Sequence, residues 1–219
     1  MWDFLQTYGP RLFDGALVTS AQFVLAALVA CVAALAAGLG RLSALWPVRS
    51  LAALYIEIFR GTSLLVQLYW IFFVLPLFGI SLPKFEAGFL SVGLNVGAYG
   101  AEIVRGAIQA VPRGQWEAGY ALSMSPAKRM RRIILPQALV LMLPPWGNLM
   151  IELLKGTALV ALISVPDLMF VAKQINGATF RSAEAFGAAL LIYYILARFL
   201  ITPAMRGLER VMARRLGRA

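Results

Sequence analysis

Long apolar stretches constrain the fold of this chain more than any other feature of its sequence. Five of them run over about residues 12–39, 51–78, 85–110, 135–154 and 185–201. A helix needs about 20 largely apolar residues to cross the hydrocarbon core of a bilayer. The chain has 61% hydrophobic and only 14% charged residues, whereas soluble domains are about half apolar. The sequence therefore predicts an all-α integral membrane protein with about five transmembrane helices, forming a single domain over residues 1–219.

The positions of the cations predict on which side of the membrane each end lies. Lysine and arginine residues cluster within 41–49, 113–132 and 206–218. Cytoplasmic loops are enriched in cations, so we expect these three regions inside, the N-terminus outside and the C-terminus in the cytoplasm. This bias and anionic lipid also explain the net charge of +10, which therefore does not indicate a nucleic-acid partner. Residues 1–10 are expected to form a short surface segment that ends at Gly9-Pro10.

The sequence offers no residues for metal, disulfide or nucleotide chemistry. It contains no histidine, and Cys31, its one cysteine, lies within an apolar stretch. Neither a His/Cys metal site nor an internal disulfide is expected. The chain also lacks a Gly-x-x-x-x-Gly-Lys-Ser/Thr loop, so it cannot bind ATP in the manner of P-loop proteins. We expect no cofactor and no catalytic residue.

The longest polar interval between two apolar stretches covers residues 117–136. Trp116, Tyr120 and Met124 are spaced four residues apart, which predicts a short amphipathic helix over about 113–124. Cations follow at once, namely Lys128, Arg129, Arg131 and Arg132. Because this charge precedes an apolar stretch, the short helix is predicted to lie on the cytoplasmic side.

Three apolar stretches each carry an acid followed three positions later by a base. The pairs are Glu57 and Arg60, Glu102 and Arg105, and Glu152 and Lys155. Residues at this spacing share one face of a helix and can pair, and charges within a membrane face protein or water. We interpret the pairs mainly as links between spans, with a path for a zwitterionic solute as the alternative. Gly61-Thr62-Ser63 follows the first pair, and we expect it to permit close packing rather than local unwinding.

The third and fourth stretches also carry uncharged polar residues. Glycines recur around Asn95 and Tyr99 on the third stretch, which favours a closely packed face that looks inward. Pro144-Pro145 and Asn148 on the fourth stretch predict a kinked or broken helix. Broken helices in transporters expose backbone groups that bind polar solutes. The candidate residues for a solute pathway are Asn95, Tyr99, Glu102, Asn148, Glu152, Lys155 and Thr157.

The last part of the chain is predicted to contain a loop, a span and a surface helix. Residues 164–182 are mixed in polarity, and we expect an external loop with a short helix over 167–174 that could meet a solute-binding protein. The tail combines arginines with apolar residues at helical spacing, which predicts an amphipathic helix anchored at anionic lipid. Its arginines are Arg206, Arg210, Arg214, Arg215 and Arg218, and its apolar residues are Leu208, Val211, Met212 and Leu216.

The polar interval resembles the EAA loop of ABC-importer permeases. Glu117-Ala118-Gly119, Ser123, Ile133 and Leu135-Pro136 carry the resemblance, with Gly119 where Ala is usual and Ser123 where Gly is usual. Both replacements are small, although the turn at Ser123 is less free. The resemblance implies a cytoplasmic coupling loop over about 111–136 that docks on a separate ATPase subunit. The docking residues would be Arg113, Gly114, Trp116, Glu117, Ala118, Gly119, Tyr120, Ser123 and Met124. An ordinary basic loop is the alternative.

Further segments resemble the polar amino-acid group of these permeases. They are residues 59–67, 99–108 and 153–160, while 69–80 and 151–157 look most like the permease of ectoine and hydroxyectoine uptake systems. The resemblance implies the non-catalytic transmembrane domain of a type I ABC importer in the bacterial inner membrane. It also implies two permease subunits, identical or homologous, two ATPase subunits and an external solute-binding protein.

The mechanism implied by the resemblance is alternating access driven by the ATPase. Because ectoine is a zwitterion, we expect Glu102 and Glu152 to face its cationic end and Lys155 to face its carboxylate. Uptake of a polar amino acid such as glutamine, histidine or arginine is the alternative. Two other classes stay open on the sequence: a stand-alone channel or secondary transporter, and a membrane anchor for a signalling complex.

Overall fold

A computed structural model describes residues 2–215, except for the side chains of Ala213 and Arg215. The α-helices are α1 (Trp2–Arg41), α2 (Trp46–Gly61), α3 (Leu64–Tyr69), α4 (Lys84–Gln109), α5 (Arg113–Ala121), α6 (Pro126–Arg129), α7 (Leu135–Thr157), α8 (Leu168–Thr179), α9 (Ser182–Ile195) and α10 (Thr202–Arg215). Tighter or wider helical turns extend several of them, at Trp70–Val74, Leu75–Phe78, Met130–Ile134, Ala158–Ile163 and Leu196–Ile201. No strand occurs in residues 2–215, so the all-α prediction is confirmed.

The number of predicted spans is also confirmed. Within the described residues, Trp2–Arg41, Lys84–Gln109, Pro126–Ile163 and Ser182–Met212 are long and apolar enough to cross a membrane. A fifth crossing results if Trp46–Gly61 and Leu64–Phe78 count as one span, although the two parts are bent by 108°. The orientation of the two termini stays a prediction.

The centre of the bundle is the contact between α1 and α4. Ala26 and Ala34 of α1 are fully buried, and glycines of α4 lie against them. A Cβ added to Gly93 would lie 2.8 Å from the carbonyl oxygen of Ala26, and one added to Gly100 would lie 2.8 Å from Cβ of Ala34. Helices approach this closely only where small residues line the contact. The predicted inward face of the third span is therefore confirmed around Asn95 and its neighbouring glycines, whereas Tyr99 and Gly106 further along are exposed.

The expectation of a short surface segment over residues 1–10 is wrong. α1 begins at Trp2 and continues through Pro10. Phe4 is fully buried in a cluster with Leu12 and with residues of α8 and α9. Burial of these apolar side chains stabilises the first turns of the helix, and Pro10 removes only its own backbone donor.

The second span is broken rather than continuous. α2 ends at Gly61, Thr62 and Ser63 are extended, and α3 begins at Leu64. No other part of the described chain lies within 4 Å of the position that a Cβ on Gly61 would take. The expectation that Gly61-Thr62-Ser63 serves close packing is therefore wrong, and local unwinding is what the structure has.

The fourth span is uninterrupted where a break was expected. α7 is helical from Leu135 to Thr157 and includes Pro144 and Pro145. Each proline removes its own N–H donor, but neighbouring residues keep theirs, and both rings lie on the exposed side of the helix. Of the predicted kink or break, the break is therefore wrong, and a kink within the continuous helix stays a prediction.

The segment 164–182 is not an open loop. The short helix expected over 167–174 is present as the longer α8, and Leu168, Ala172 and Ile175 are buried against α1 and α9. Whether this region meets a solute-binding protein stays a prediction.

The predicted helix in the tail is present as α10, which continues the last span without a break. One side of it rests on the bundle, since a Cβ on Gly147 of α7 would lie 3.5 Å from Cβ of Met205. Leu216, Arg218 and the Arg215 side chain lie outside the described residues. Anchoring on anionic lipid stays a prediction.

Candidate functional site

A short exposed helix connects the third and fourth spans. α5 begins after Pro112, ends before Leu122 and contains nine residues. The helix predicted over 113–124 is therefore confirmed, with an earlier end. It is far shorter than the roughly 20 residues that a membrane crossing needs, so it lies at one end of the bundle.

The chain leaves α5 through a left-handed turn at Ser123. Its φ is 52°, a conformation that glycine adopts at the lowest cost and other residues adopt rarely. The N–H of Ser123 donates to the carbonyl oxygen of Tyr120 at 2.8 Å, and that of Met124 donates to Gly119 at 3.1 Å. The restricted turn expected from serine at this position is thus present.

The residues predicted to dock on an ATPase lie mostly at the surface. Arg113, Gly114, Glu117, Ala118, Tyr120 and Ser123 are exposed, Trp116 and Met124 are half-buried, and Gly119 is buried. The apolar ridge predicted from Trp116, Tyr120 and Met124 does not pack on the bundle along its whole length. Trp116 packs on a core cluster between α4 and α7, whereas Tyr120 is 63% exposed. α5 is therefore attached on one side and free on the other.

The cations that follow α5 do not all face solvent. Lys128, Arg131 and Arg132 are exposed, but Arg129 is only 5% exposed. Cζ of Arg129 lies 3.6 Å from the ring centroid of Tyr120 and 5.8 Å from that of Trp116. The arginine at the end of α6 therefore lies beneath α5.

Asn95 supports the break in the second span. Its Nδ2 donates to the carbonyl oxygen of Phe59 at 3.1 Å and to Oε1 of Gln67 at 3.0 Å. Nε2 of Gln67 donates to Phe59 at 2.9 Å and to the carbonyl oxygen of Thr62 at 3.2 Å. These carbonyl groups lack helical partners because α2 ends there. The amide of Asn95 is thus occupied by the chain itself.

Tyr99 and Glu102 lie further along α4. Nη2 of Arg105 lies 2.6 Å from Oε2 of Glu102, so this predicted ion pair is confirmed. Glu57 and Arg60 form no ion pair within the described residues. The guanidinium of Arg60 lies instead 5.4 Å from the ring centroid of Tyr99, which links the second span to the third.

Asn148, Glu152 and Lys155 share one exposed face of α7. Nζ of Lys155 lies 2.7 Å from Oε1 of Glu152, and both side chains are 64% exposed. The third predicted pair is confirmed. Thr157 is fully buried, and its hydroxyl donates to the carbonyl oxygen of Leu154 at 2.7 Å. Because charged groups facing lipid are costly, this face of α7 requires water or another protein chain beside it.

A polar groove of about 530 Å³ runs between α7 and α10. Its polar lining residues are Asn148, Arg198, Thr202, Arg206 and Glu209. No hydrogen bond or ion pair in residues 2–215 joins this region to Tyr99 and Glu102. The predicted pathway residues therefore fall into two sets, one on α4 and one on α7.

A buried polar cluster around Asp167 was not predicted from the sequence. This residue precedes α8, and its carboxylate accepts from the N–H of Phe170 at 2.9 Å and from the hydroxyl of Tyr193 at 3.3 Å. Thr19 of α1 accepts from the N–H of Leu168 at 3.0 Å. Burial raises the pKa of Asp167 to about 6, against the opposing effect of its hydrogen bonds. The available signal was Thr19, which stands with Ser20 and Gln22 as a polar group within an apolar stretch.

The described residues show no metal centre. No group of three His, Cys, Asp or Glu side chains in residues 2–215 could hold a metal ion. Cys31 is a free thiol, half-buried in α1.

Known proteins resemble this chain over nearly its whole length. The family model of the binding-protein-dependent transport system inner membrane component matches residues 18–214. A probable amino-acid ABC transporter permease of Sinorhizobium fredii (strain NBRC 101917 / NGR234) is 45% identical over 201 residues, which cover 89% of this chain and 84% of the relative. The L-cystine transport system permease of Bacillus subtilis (strain 168) is 37% identical over 225 residues, covering 99% and 92%.

A solved structure has the same fold. The crystal structure of an amino acid ABC transporter with histidines superposes with a TM-score of 0.83 at 37% sequence identity, and the match covers 96% of each chain. The similarity therefore extends over nearly the whole bundle.

Proposed function

Because this chain belongs to the family of binding-protein-dependent transport system inner membrane components, we propose that α5 couples ATP hydrolysis on a partner chain to movement of the spans. The protein is the permease subunit of an amino-acid ABC importer and a multi-pass inner-membrane protein. It is not an enzyme, since the ATPase is a separate subunit, and a second permease subunit belongs to the assembly. Family membership favours this function over a stand-alone channel, a secondary transporter or a signalling anchor.

One observation carries the coupling role of α5. It is a short helix with an exposed outer side, and Trp116 and Arg129 attach its inner side to the bundle. A helix held in this way transmits a displacement to α6 and α7 instead of moving alone. We propose that the loop 111–136 lies in the cytoplasm within one permease domain over 1–219, with the N-terminus outside and the C-terminus inside.

The transport cycle that we propose is alternating access. ATP closes the pair of ATPase subunits, α5 moves with them, and the spans open toward an external solute-binding protein. The solute biases this equilibrium only if it binds one state more tightly than the other. The face of α7 that carries Asn148, Glu152 and Lys155 would then border water or the second permease subunit, an identical or a homologous chain.

The proposed solute is a small zwitterion of the amino-acid class. Glu152 and Lys155 present opposite charges 2.7 Å apart at the surface, and a zwitterion can replace each charge of this pair with its own. Its ammonium would meet Glu152 and its carboxylate would meet Lys155. Glu102, with Tyr99 beside it on α4, is the second candidate for the cationic end, although Arg105 competes for it. The amino-acid names of the similar proteins support this solute class.

Ectoine or hydroxyectoine is the second candidate solute. Residues 69–80 and 151–157 favour it through their resemblance to permeases of ectoine uptake, and 151–157 include Glu152 and Lys155. The similar proteins described above carry amino-acid names and add no support for ectoine itself. A polar amino acid is therefore the first candidate.

Uptake by the reconstituted importer tests the coupling role. The chain is assembled in proteoliposomes with its second permease, its ATPase and its binding protein, and uptake of labelled glutamine, histidine, cystine and ectoine is measured with and without ATP. We expect ATP-dependent uptake that falls about tenfold or more in Glu117→Ala, because a coupling free energy of ordinary size is lost. Uptake by the isolated chain without ATP would contradict the proposal.

The same assay tests the solute contacts. We expect Glu152→Gln and Lys155→Gln each to raise the KM for the transported solute, because each removes one charge that the zwitterion would meet. Arg49→Gln, which removes an exposed cation near the start of α2, is the matched control and should leave the KM unchanged. Unchanged uptake kinetics in Glu102→Gln, Glu152→Gln and Lys155→Gln together would show that these charges do not bind the solute.

A further inference from the structure

Gly119 and Arg129 fit each other too closely for any larger residue at position 119. A Cβ added to Gly119 would lie 2.5 Å from Cδ and 2.8 Å from Cγ of Arg129. Packed carbon atoms do not approach to such distances. The next neighbour, Cδ1 of Ile133, would lie 3.6 Å away, which is ordinary contact. The aliphatic part of Arg129 is therefore what requires glycine at this position of α5.

Aromatic rings hold the charged end of the same side chain. The Arg129 guanidinium lies over the Tyr120 ring at 3.6 Å and near the Trp116 ring at 5.8 Å, within the range of cation–π attraction. Its Nε is buried and has no hydrogen-bond partner in the described part of the chain. Ring stacking thus takes the place that a carboxylate has in most buried arginine contacts.

The position of Arg129 in the chain makes this contact a direct link between α5 and the fourth span. Arg129 is the last residue of α6, and the turn Met130–Ile134 leads from it into α7. The neighbouring cations Lys128 and Arg131 point into solvent, so a cation in this segment does not by itself produce burial. Trp116 attaches the first half of α5 to the bundle, and Arg129 supports the second half.

We propose that Gly119 and Arg129 are a matched pair that fixes the orientation of α5 on the fourth span and so determines how much of an ATPase-driven displacement reaches that span. This inference rests on the coupling role proposed above for α5. Arg129 is a positioning residue, because it contacts α5 and neither solute nor nucleotide. Without its support, the second half of α5 can pivot about Trp116, and part of the displacement is lost.

A comparison of two single variants with their double variant in the complete importer tests the pairing. The assembled complex in nanodiscs is assayed for ATP hydrolysis with and without solute-loaded binding protein, and the ratio of the two rates measures coupling. The variants are Gly119→Ala, Arg129→Ala and the double variant Gly119→Ala/Arg129→Ala. Arg131→Ala, which removes an exposed cation from the same segment, is the matched control.

We expect Gly119→Ala to lower the coupling ratio about tenfold, because the added methyl group overpacks the contact and displaces Arg129. Arg129→Ala should lower it by a similar factor through loss of the support under Tyr120. The double variant should lose no more than Arg129→Ala does alone, about tenfold, because Gly119→Ala acts through the Arg129 side chain that the double variant already lacks. Arg131→Ala should stay within about twofold of the parent.

Copurification of the ATPase with each variant is measured first. If Gly119→Ala prevents assembly, restored assembly in the double variant supports the pairing on that readout. A double variant whose loss approaches the product of the two single losses overturns it, as does an Arg129→Ala ratio equal to that of Arg131→Ala. Such a multiplied loss, with coupling also lost in Glu117→Ala, overturns the pairing alone. Full coupling in both Glu117→Ala and Gly119→Ala overturns the pairing together with the role of α5.

Discussion

The second and fourth spans respond in opposite ways to residues that disfavour a helix. Residues 46–78 contain Gly61-Thr62-Ser63 and bend by 108° at this point. Residues 135–157 contain two consecutive prolines and stay helical throughout. Proline is the stronger helix breaker by about 2 kcal/mol over glycine, so intrinsic propensity does not explain where the chain breaks.

The difference lies in what other side chains offer to the backbone. At the bend, Gln67 and Asn95 donate to the carbonyl oxygens that the end of α2 leaves free. A buried carbonyl without a donor costs about 1–3 kcal/mol, and these two amides remove that cost. Pro144 and Pro145 are exposed on α7. A span therefore breaks where buried amides can replace lost helical bonds.

The largest expected effect comes from removing both amides. Gln67→Met with Asn95→Leu keeps the side-chain volumes but leaves the carbonyl oxygens of Phe59 and Thr62 without these donors. We expect a loss of about 4 kcal/mol in the free energy of unfolding, at about 1–3 kcal/mol per unsatisfied group. Denaturant unfolding of the protein in detergent measures it. Asn148→Leu on α7 is the control and should change stability by less than about 1 kcal/mol. If Asn148→Leu lost as much stability as the double variant, buried amides would not distinguish the second span from the fourth.

The start of α8, just after the fourth span, sharpens the comparison, because a carboxyl group, not an amide, accepts a backbone hydrogen bond there. Asp167 has a pKa raised to about 6 by burial, against an ordinary value of 3.8. The folded protein thus retains this proton to higher pH than the unfolded chain does. Ionisation should lower the free energy of unfolding as the pH rises from about 4 to 7, by up to about 3 kcal/mol, since one pKa unit corresponds to about 1.4 kcal/mol.

Asp167→Asn tests this pH dependence because asparagine also caps helices well and does not ionise. Its unfolding should lack the part of the pH dependence that the parent shows between about pH 4 and 7. An unchanged pH profile in the variant would mean that Asp167 does not titrate in this range. The amide-capped bend in the second span should show no such pH dependence.

The smallest expected effect concerns Gly61 itself. Because no packed neighbour requires glycine there, Gly61→Ala should change the free energy of unfolding by less than about 0.5 kcal/mol. Gly100→Ala is the contrasting control. Its Cβ would lie 2.6 Å from Cζ3 of Trp146, and overpacking of this kind costs about 2 kcal/mol. A large loss in Gly61→Ala would show that glycine, and not the two amides, produces the bend.

Local patterns in the sequence were sufficient for part of this structure. The spans follow from apolar length, α5 from the spacing of Trp116 and Tyr120, and two ion pairs from residues three positions apart. All of these depend on neighbours within a few turns of one helix. The first turns of α1 were mispredicted because Phe4 is buried by α8 and α9, which lie far along the chain.

The features that were missed join residues distant in sequence. Asn95 and Gln67 are 28 positions apart, and Asp167 and Tyr193 are 26 apart. Arg129 resembles its exposed neighbours in sequence and differs only because Gly119 leaves room for it. Such partners become visible only once the helices are packed, since no periodic pattern relates them.

Thiol labelling and cross-linking at position 121 test the central claim, that α5 meets an ATPase on the cytoplasmic face. Ala121→Cys places a thiol on exposed α5 in a Cys31→Ser background, and Phe180→Cys places one between α8 and α9 as the control. We expect a membrane-impermeant maleimide to reach position 121 only in inverted vesicles and position 180 only from outside. In the assembled importer, position 121 should cross-link to the ATPase. Labelling of position 121 from outside the cell would contradict the account.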